Sequence, residues 1–465
     1  MDADTITAVA TPPGEGGIGI VRLSGPSALQ IADHIFRTAS RLRPSGLKSH
    51  TLTYGQILDP DNGQIIDQAL LGLMRAPHSY TTENTVEFNC HGGNAVLQQV
   101  TSLTLRYGAR VAEPGEFTKR AFLNGRIDLA QAEAVADLIR AKTDLARQAA
   151  ANQLVGRLST QIHHLNEQTA DLLAVVEATI DFPDEELDLI DLETTGQKAE
   201  QIAEQLDHLL QTAGDGRLLR EGLKIAILGK PNVGKSSLLN SLLAVDRAIV
   251  TDIPGTTRDT IEETLNLNGI PVHLVDTAGI RQTDDPIEQI GVEKSRATLA
   301  EADLLIVVVD ASIPLDDSDQ QILEMVNLKP TLFVLNKVDL PIQTSSVDLL
   351  NHLPNATQTG IAPTIVQTSM IQQAGIDDLK EKMLAQVLDA DLSQSVLITN
   401  ARHEEALRSA RTAIAHAIDS MKAVMPAEFI ALDLRATLDG LGDIVGHTTN
   451  DDILGRIFAQ FCIGK

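Results

Sequence analysis

Hydrophobic residues follow different spacings in successive parts of the chain. In the first 120 residues they form short β-like runs between glycines and prolines, at 6–10, 19–23, 64–73 and 85–89. From about 125 to 215 they recur every three or four residues, as at Leu129, Ala132 and Val135. That helical pattern returns at 404–421 and 432–461. The spacing predicts an α+β domain followed by long amphipathic helices.

A third pattern separates the two helical stretches. Short, continuously apolar runs at 223–228, 271–275 and 331–335 are typical of buried parallel strands. An α/β domain therefore interrupts an all-α domain, and Gly214-Asp215-Gly216 is interpreted as the hinge before it. The predicted domains are 1–122, 123–220, the inserted 221–384, and 385–465.

The segment 229–236 has the sequence Gly-Lys-Pro-Asn-Val-Gly-Lys-Ser, which is a complete phosphate loop. It follows a predicted strand and precedes the helical pattern 236–243, so a helix N-terminus would present free N–H groups to phosphate oxygens. We expect Lys235 to reach the β and γ phosphates and the Ser236 hydroxyl to bind Mg²⁺. The motif predicts a P-loop nucleotide hydrolase or switch.

A second motif selects the base. Asn336-Lys337-Val338-Asp339 follows an apolar run, and the Asp339 carboxylate offers two acceptors that fit the paired donors of guanine. Adenine lacks that pair, and buried acceptors left unpaired reject the wrong ligand. We therefore predict GTP as the substrate and a Ras-like fold for the inserted domain.

Two further motifs fit switch segments that become ordered around GTP. Asp276-Thr277-Ala278-Gly279 ends a predicted strand, where an Asp can hold the metal's water and a Gly amide can contact the γ-phosphate. Gly255-Thr256-Thr257-Arg258-Asp259 lies in a loop, and Thr257 is the favoured second Mg²⁺ ligand.

Two common catalytic parts are absent from these motifs. Ile280 stands where many small GTPases have the glutamine that orients water, which leaves the downstream carboxylates Asp284, Asp285, Glu288 and Glu293 as candidates. No arginine finger is evident. A monovalent cation held by Asn232 and backbone carbonyls of 250–256 could supply that charge, although Asn232 also fits a simple turn.

The composition of the chain bears on its location in the cell and on the partners that it can bind. No basic-plus-apolar signal pattern and no apolar run of about 18 residues appears in the sequence, which contains two cysteines, Cys90 and Cys462. We expect a cytoplasmic protein without a membrane span. The net charge is −26, and because the first 124 residues are nearly neutral, the acid lies in the rest. Such a chain offers little basic surface, so a partner would hold most of any nucleic acid.

Three stretches outside the GTPase motifs carry a family resemblance. They are Ala10-Thr11-Pro12-Pro13-Gly14 through Gly25, Pro114-Gly115-Glu116-Phe117 through Ala134, and the end Phe461-Cys462-Ile463-Gly464-Lys465. With these stretches and the GTPase motifs, the chain resembles the tRNA-modification GTPases called MnmE or TrmE over essentially its whole length.

The resemblance implies a homodimer formed through a folate-binding N-terminal domain, with G domains that dimerise when GTP and K⁺ are bound. It also implies a flavin-dependent partner, MnmG or GidA, in a heterotetramer or larger complex. Together they would place a carboxymethylaminomethyl or aminomethyl group on C5 of the tRNA wobble uridine, with 5-formyl- or methylene-tetrahydrofolate as the one-carbon source.

The resemblance also assigns residues. Asn232 with the backbone oxygens of Thr251, Ile253 and Thr256 would bind K⁺, Ser236 and Thr257 would bind Mg²⁺, and Glu288 would orient water. The folate contacts are Arg22, Glu87, Arg126 and Lys465, and Cys462 has a possible role in modification. The predicted GTP site comprises Asn232, Val233, Gly234, Lys235, Ser236, Ser237, Thr251, Asp252, Ile253, Pro254, Gly255, Thr256, Thr257, Asp276, Thr277, Ala278, Gly279, Asn336, Lys337, Asp339 and Ser369.

One alternative stays open, a regulatory or ribosome-assembly GTPase whose only chemistry is the nucleotide cycle. Such a protein needs neither the N-terminal domain nor the Phe-Cys-Ile-Gly-Lys segment, which favours the modification enzyme.

Overall fold

The computed structural model of the chain describes residues 4–181, 192–246, 264–274, 302–325, 329–353, 363–386, 396–447 and 451–465. Within the N-terminal part there is one seven-stranded sheet. Its strands are β1 (Ile6–Val9), β2 (Gly16–Ser24), β3 (Phe36–Thr38), β4 (Thr51–Leu58), β5 (Ile65–Met74), β6 (Thr85–Gly92) and β7 (Arg110–Val111). All four predicted β-like runs are strands, which confirms the α+β prediction.

The sheet order is β3-β4-β5-β6-β2-β1-β7, and every pairing is antiparallel except β1 with β7. Helices α1 (Ala28–Ile35) and α2 (Asn94–Arg106) pack on it, and α3 (Glu116–Leu123) follows. The register places Arg22 of β2 directly opposite Glu87 of β6. Two predicted folate residues therefore share one position of the sheet.

Among the described residues, five helices lie between α3 and the inserted domain. They are α4 (Leu129–Arg140), α5 (Asp144–Leu154), α6 (Arg157–Asp181), α7 (Leu192–Gln211) and α8 (Ala213–Glu221). Helix α4 begins with a capping box, in which the Gln131 amide donates to the Asp128 side chain and the Asp128 amide donates to the Gln131 side chain. This cap fixes the start of α4 three residues after Arg126.

The hinge interpretation of Gly214-Asp215-Gly216 is wrong. These residues lie inside helix α8, where Asp215 and Gly216 are buried. A Cβ atom on Gly216 would lie 2.3 Å from the carbonyl oxygen of Ile398, so the glycine permits two segments to touch. Close packing, and not flexibility, accounts for this glycine.

The inserted domain contains a six-stranded sheet. Its strands are β8 (Leu223–Leu228), β9 (Thr264–Leu267), β10 (Ile270–Leu274), β11 (Leu304–Asp310), β12 (Thr331–Asn336) and β13 (Thr364–Thr368), and its described helices are α9 (Lys235–Asp246), α10 (Asp317–Met325), α11 (Ser346–His352) and α12 (Ile376–Ala385). The order is β13-β12-β11-β8-β10-β9, and only β9 runs antiparallel to its neighbour. The predicted parallel α/β fold is confirmed.

Strand β11 explains why these segments are continuously apolar. Alternate side chains of β11 enter two separate hydrophobic clusters, one on each face of the sheet. Both faces are covered, as in doubly wound domains. The strand order reverses beside β8, and in such sheets ligands bind outside the carboxyl ends of the strands at that point.

Within the part of the chain that the structure describes, three helices complete the all-α region, namely α13 (Ala401–Lys422), α14 (Ala427–Val445) and α15 (Asp451–Ala459). The main helical core combines residues from before and after the insertion, including Leu165, Leu206, Leu407 and Leu434. The domain boundaries at 122, 220 and 384 stay predictions, and each falls one residue before the end of a helix, at Leu123, Glu221 and Ala385.

Candidate functional site

The phosphate loop connects β8 to α9 and depends on unusual backbone angles. Gly229 and Gly234 have φ of 146° and 106°, and Asn232 has φ of 65°. A Cβ on Gly229 would lie 2.4 Å from the Val308 carbonyl, and one on Gly234 would lie 2.1 Å from the Asn336 side-chain nitrogen. Both positions therefore require glycine, because a side chain would clash with these neighbouring atoms and would also disfavour the positive φ.

Lys235 begins helix α9, and its side chain curls back into this loop. Its Nζ donates hydrogen bonds to the carbonyls of Gly229 at 2.7 Å and Lys230 at 2.6 Å. Burial lowers the pKa of Lys235. The arrangement holds an ammonium group inside the curve of the loop, where phosphate oxygens would meet it.

Asn336 joins the base-recognition loop to the phosphate loop. Its side-chain nitrogen donates to the Val233 carbonyl at 2.8 Å, and its side-chain oxygen accepts from the Thr368 hydroxyl at 3.2 Å. Asn336 is buried. Both polar ends of this amide are thus satisfied, which fixes the distance between the two loops.

Asp339 is oriented by Ser369. The Ser369 hydroxyl donates to Asp339 Oδ1 at 2.6 Å, and the Ser369 backbone exchanges hydrogen bonds with Ala374 at 3.1 and 3.0 Å. Ser369 is fully buried, and it belongs to the predicted GTP site. One carboxylate oxygen of Asp339 is therefore fixed by a neighbour.

Lys337 has a partner that the sequence analysis missed. Its Nζ lies 2.6 Å from Asp310 Oδ2, and Asp310 Oδ1 accepts from the Ser312 amide at 2.9 Å and the Ser312 hydroxyl at 2.6 Å. Burial acts against the Asp310 charge, but Lys337 and Ser312 outweigh it and lower the Asp310 pKa. Asp310 ends an apolar strand, the same signal that identified Asp276.

A second missed contact stabilises the outside of the phosphate loop. Lys230 Nζ lies 2.8 Å from Asp316 Oδ2 and 2.6 Å from Asp319 Oδ2, at the start of α10. The Asp319 side chain is only 4% exposed, so this pair is shielded from solvent on one side. Lys230 thus anchors the phosphate loop to the start of α10, whereas the Lys235 ammonium group faces the interior of the loop.

Oxygen groups that could bind a metal lie in the phosphate loop and at the start of α9. Ser236 and Ser237 are exposed there, and Asn232 is exposed in the loop. Hydroxyl and amide oxygens suit Mg²⁺ and K⁺, so the donor chemistry fits both ions. Outside the described residues lie the other predicted positions: Thr251, Asp252, Ile253, Pro254, Gly255, Thr256, Thr257, Asp276, Thr277, Ala278, Gly279 and Glu288.

A second polar cluster lies in the N-terminal part. Arg22 Nε donates to Glu87 Oε1 at 2.7 Å, and Arg22 Nη1 donates to the Gly464 carbonyl at 3.3 Å. Burial lowers the pKa of Lys465, and the Arg22 charge lowers it further. Residues from both ends of the chain therefore meet, and three of the four predicted folate residues belong to this cluster.

Arg126, the fourth, borders an open cleft of about 540 Å³ whose lining includes Tyr80, His78 and Asn124. Its guanidinium lies 5.1 Å from the Tyr80 ring centroid and donates to the Ser79 carbonyl at 2.5 Å. Burial raises the pKa of Tyr80, while Thr118, Arg126 and Arg22 oppose that rise. Tyr80 thus lies within electrostatic reach of both arginines.

The chain is similar to known proteins over nearly its whole length. Two family models match, the GTP-binding protein TrmE N-terminus over residues 5–126 and the MnmE helical domain over residues 129–462. Proteins described as tRNA modification GTPase MnmE from Thermoanaerobacter pseudethanolicus and Clostridioides difficile are each 47% identical, over 100% and 99% of both chains. The chain belongs to the MnmE family of tRNA modification GTPases.

Solved structures provide a more distant similarity. The G domain of the FeoB iron transporter of T. maritima is 26% identical, with a TM-score of 0.26, and the match covers 36% of this chain and 99% of that one. None of the helices within the described residues is long and apolar enough to cross a membrane.

The two cysteines of this MnmE-family member differ sharply. Cys90 is buried on β6, and burial raises the pKa of its thiol to about 12, with a smaller contribution from Asp67. Cys462 is exposed, and its proximity to Lys465 acts to raise the pKa of Lys465. Cys462 is therefore close to the second polar cluster, and Cys90 belongs to the core.

Proposed function

We propose that this chain hydrolyses GTP with Mg²⁺ and K⁺ and works with the flavin-dependent MnmG (GidA) to modify C5 of the tRNA wobble uridine. The modification would be a carboxymethylaminomethyl or aminomethyl group, with 5-formyl- or methylene-tetrahydrofolate as the one-carbon source. One observation carries the proposal: Arg22 donates to the Gly464 carbonyl and so joins the N-terminal sheet to the segment that bears Cys462 and Lys465. A GTPase that only cycles nucleotide has no use for that cluster.

In the nucleotide half of the site, Lys235 would bind phosphate oxygens, and Asp339, held by Ser369, would accept from guanine. Ser236 and Thr257 would hold Mg²⁺, while Asn232 with carbonyls of Thr251, Ile253 and Thr256 would hold K⁺. These cations supply positive charge for the transition state. The carboxylate of Glu288 would orient the attacking water.

In the second cluster, Arg22, Glu87 and Lys465 would contact the same part of a folate, with the two cations donating to its acceptor atoms and the Glu87 carboxylate accepting from its N–H groups. The aromatic side chains of Tyr80 and Phe117 each face an arginine, and ring centroids lie 5.1 Å from Arg126 and 5.6 Å from Arg22. The positive charge of Arg126 lies on a planar guanidinium group, which suits bidentate contacts.

The partner assignments rest on charge and on family membership. A net charge of −26 disfavours a large phosphate-binding surface, so the tRNA would be held mainly by the partner protein. The chain would form a homodimer through its N-terminal domain, join MnmG in a heterotetramer or larger complex, and act in the cytoplasm.

The decisive experiment is nucleoside mass spectrometry of tRNA from cells that lack this protein. We expect the modified wobble uridines to disappear and to return with the wild-type gene. Arg22→Gln should restore them poorly while GTP hydrolysis by the purified variant stays intact. An unchanged nucleoside profile in the deletion strain would favour the ribosome-assembly alternative.

Binding of 5-formyltetrahydrofolate to the purified protein tests the folate assignment directly. Titration calorimetry should give saturable binding that Arg22→Gln and Glu87→Gln weaken. Arg37→Gln, which changes an exposed arginine bonded to backbone carbonyls, serves as the control and should bind normally.

Glu288 is tested through turnover. Glu288→Ala should retain GTP affinity and lose most hydrolysis, because the oriented water contributes to the transition state and not to ground-state binding. Asp284→Ala is the matched control, and a near-normal rate for Glu288→Ala with a slow Asp284→Ala would reassign the role.

A further inference from the structure

The segment that connects β3 to β4, residues 39–50, concentrates positive charge and is called the basic segment below. It contains Arg41, Arg43 and Lys48, and no Asp or Glu occurs anywhere from 34 to 58. The chain as a whole has a net charge of −26. The basic segment is therefore a local exception to the charge of the protein that contains it.

The three cations of the basic segment are free to bind an external group. Arg41, Arg43 and Lys48 are exposed, and within the part of the chain that the structure describes their side chains have no hydrogen-bond or ion-pair partner. Arg106 and Arg408 are also exposed, but these two arginines are paired with carboxylates at 2.9 and 2.7 Å. The positive charge of the basic segment is thus not neutralised by neighbouring side chains.

Other contacts fix the backbone of the basic segment. Asp33 of α1 accepts a hydrogen bond from the Ser45 amide at 2.7 Å. The Arg75 guanidinium donates to the carbonyls of Ser45 and Leu47 at 2.6 and 3.3 Å, and Pro44 is buried. Because this backbone is already ordered, a ligand that binds the three cations has little loop entropy to overcome.

The basic segment ends beside the cleft that Arg126 borders. Its last residue, His50, lines this cleft together with His78 and Tyr80. Lys48 precedes His50 by two residues, so their Cα atoms lie within about 7 Å of each other. A strand of ligand that follows the cations of the basic segment therefore reaches the mouth of the cleft.

The number of free cations fits a nucleic-acid backbone. A single inorganic phosphate carries at most about two negative charges near pH 7, so it would leave part of the positive charge uncompensated. A nucleic-acid strand instead offers one phosphate at every nucleotide, and arginine can donate two parallel hydrogen bonds to each. Among polyanions, membership in a family of tRNA modification GTPases favours RNA.

We propose that the basic segment is an RNA-binding surface, in which Arg41, Arg43 and Lys48 contact backbone phosphates of the tRNA near its wobble nucleotide. The bound strand then passes His50, and the wobble uridine is presented at the mouth of the cleft that Arg126 borders. The surface is small, so a partner would still hold most of the tRNA. The identity of the RNA rests on the proposed function, whereas phosphate binding by these cations does not.

RNA binding is measured by fluorescence anisotropy, with the full-length chain and a labelled anticodon stem-loop RNA that has uridine at the wobble position. NaCl is used so that the proposed K⁺ site is not filled. Three phosphate contacts give a slope of about −2 for log K against log salt, so a threefold rise in NaCl should weaken binding by about 10-fold. Absence of saturable binding by the wild type at low salt overturns the proposal.

The variant Arg41→Gln/Arg43→Gln/Lys48→Gln removes the three charges and leaves the backbone contacts of the basic segment in place. It should weaken binding at low salt by about 10-fold or more and remove most of the salt dependence, because the phosphate contacts that displace counterions are lost. Wild-type affinity with an unchanged salt slope would show that the RNA binds elsewhere and would overturn the proposal.

The matched control is Arg147→Gln/Arg408→Gln/Lys422→Gln. It changes the net charge by the same amount, but at exposed cations that are paired with carboxylates. It should bind RNA as the wild type does. An equal loss of affinity in both triple variants would make net charge the cause and would overturn the proposal.

Sedimentation velocity separates contact with RNA from contact between subunits. Both triple variants should have the sedimentation coefficient of the wild type. If the basic-segment variant dissociates into a smaller species as it loses RNA affinity, its cations belong to a subunit interface and the proposal is overturned.

Presentation at the cleft is tested with the same RNA carrying 4-thiouridine at the wobble position. Irradiation should crosslink it to the tryptic peptide 76–106, which contains His78 and Tyr80, and the basic-segment variant should crosslink less. Crosslinks confined to other peptides overturn the presentation of the uridine at the cleft.

These results are distinguishable from a failure of the proposed function. If the deletion strain loses its modified uridines while the purified chain binds no RNA, the proposed function stands and the RNA surface is wrong. If the deletion strain keeps its modified uridines while Arg41, Arg43 and Lys48 still determine RNA affinity, the surface stands and the modification role is wrong.

Discussion

The side-chain nitrogen of Asn336 donates to the Val233 carbonyl at 2.8 Å and so joins two loops that are 103 residues apart in sequence. The loop that would read the base and the loop that would bind phosphate are therefore one rigid unit. Substitutions at the contact should affect nucleotide binding before they affect the fold.

Gly234→Ala tests that unit. The added Cβ would lie 2.1 Å from the Asn336 nitrogen at a backbone φ of 106°, so we expect fluorescent GDP binding to weaken by about 100-fold or more. Gly63→Ala is the control, because Gly63 has φ of 69° but nothing within 4 Å of the added atom. Wild-type affinity in Gly234→Ala would show that the contact is dispensable.

Asp310→Asn tests the missed partner of Lys337. Loss of the charge should weaken GDP affinity by about 3- to 10-fold, with a smaller change in turnover at saturating GTP, because the partly exposed Lys337 loses its fixed position. Stopped-flow release of fluorescent GDP measures this. Asp378→Asn, which breaks an exposed pair with Lys382 on α12, should leave release unchanged. Identical release rates in both variants would contradict the positioning of Lys337 by Asp310.

The proposed K⁺ ligand predicts a salt dependence. Hydrolysis should be at least about 10-fold faster in KCl than in NaCl at matched ionic strength, since the ion replaces a charge that arginine supplies elsewhere. Asn232→Ala should abolish the difference, and Asn240→Ala, an exposed asparagine in α9, should preserve it. Equal rates of the wild type in both salts would refute the cation.

Two glycines of helix α8 separate packing from flexibility. Gly216→Ala places a Cβ 2.3 Å from the Ile398 carbonyl and should cost about 1–3 kcal/mol of unfolding free energy. Gly214→Ala meets nothing within 4 Å and should be neutral or stabilising by about 0.5–1 kcal/mol. Denaturant unfolding compares the two, and equal effects would restore the hinge interpretation.

Cysteine labelling tests the raised pKa of Cys90. A thiol with a pKa of about 12 is almost entirely protonated at pH 7.5 and at pH 9, so alkylation of Cys90 by iodoacetamide in the folded protein should stay far slower than that of Cys462 at both pH values. Exposed Cys462 should react fully, and denaturant should make both react. Peptide mass spectrometry distinguishes them, and labelling of folded Cys90 as fast as that of Cys462 would contradict its burial.

The sequence was sufficient for the G-domain strands and for most of the nucleotide site. Runs such as 223–228 are apolar because both faces of the sheet are covered, and their carboxyl ends converge near one edge. Lys235, Asn336 and Asp339 therefore had to lie close together once the strands were recognised. Asp310 carried the same strand-end signal and could have been found.

Other features depend on partners that are remote in sequence. Glu133 and Asp137 resemble ordinary solvated charges on an amphipathic helix, and only the fold brings Arg402 within 2.8 Å across 269 residues. Gly216 resembled a hinge because local composition does not reveal that Ile398 lies against it. Tertiary contact, and not local preference, determines such positions.

The contacts of Thr212 with Val396 and Ile398 join positions that are 184 and 186 residues apart. Closing so long a loop costs chain entropy that grows with its length. A G domain that has already folded holds its own two ends close together. The loop to be closed is then reduced to the short stretches of chain that lead into the G domain and out of it. We therefore expect the rate at which the helical core is completed to depend on how fast the inserted G domain folds.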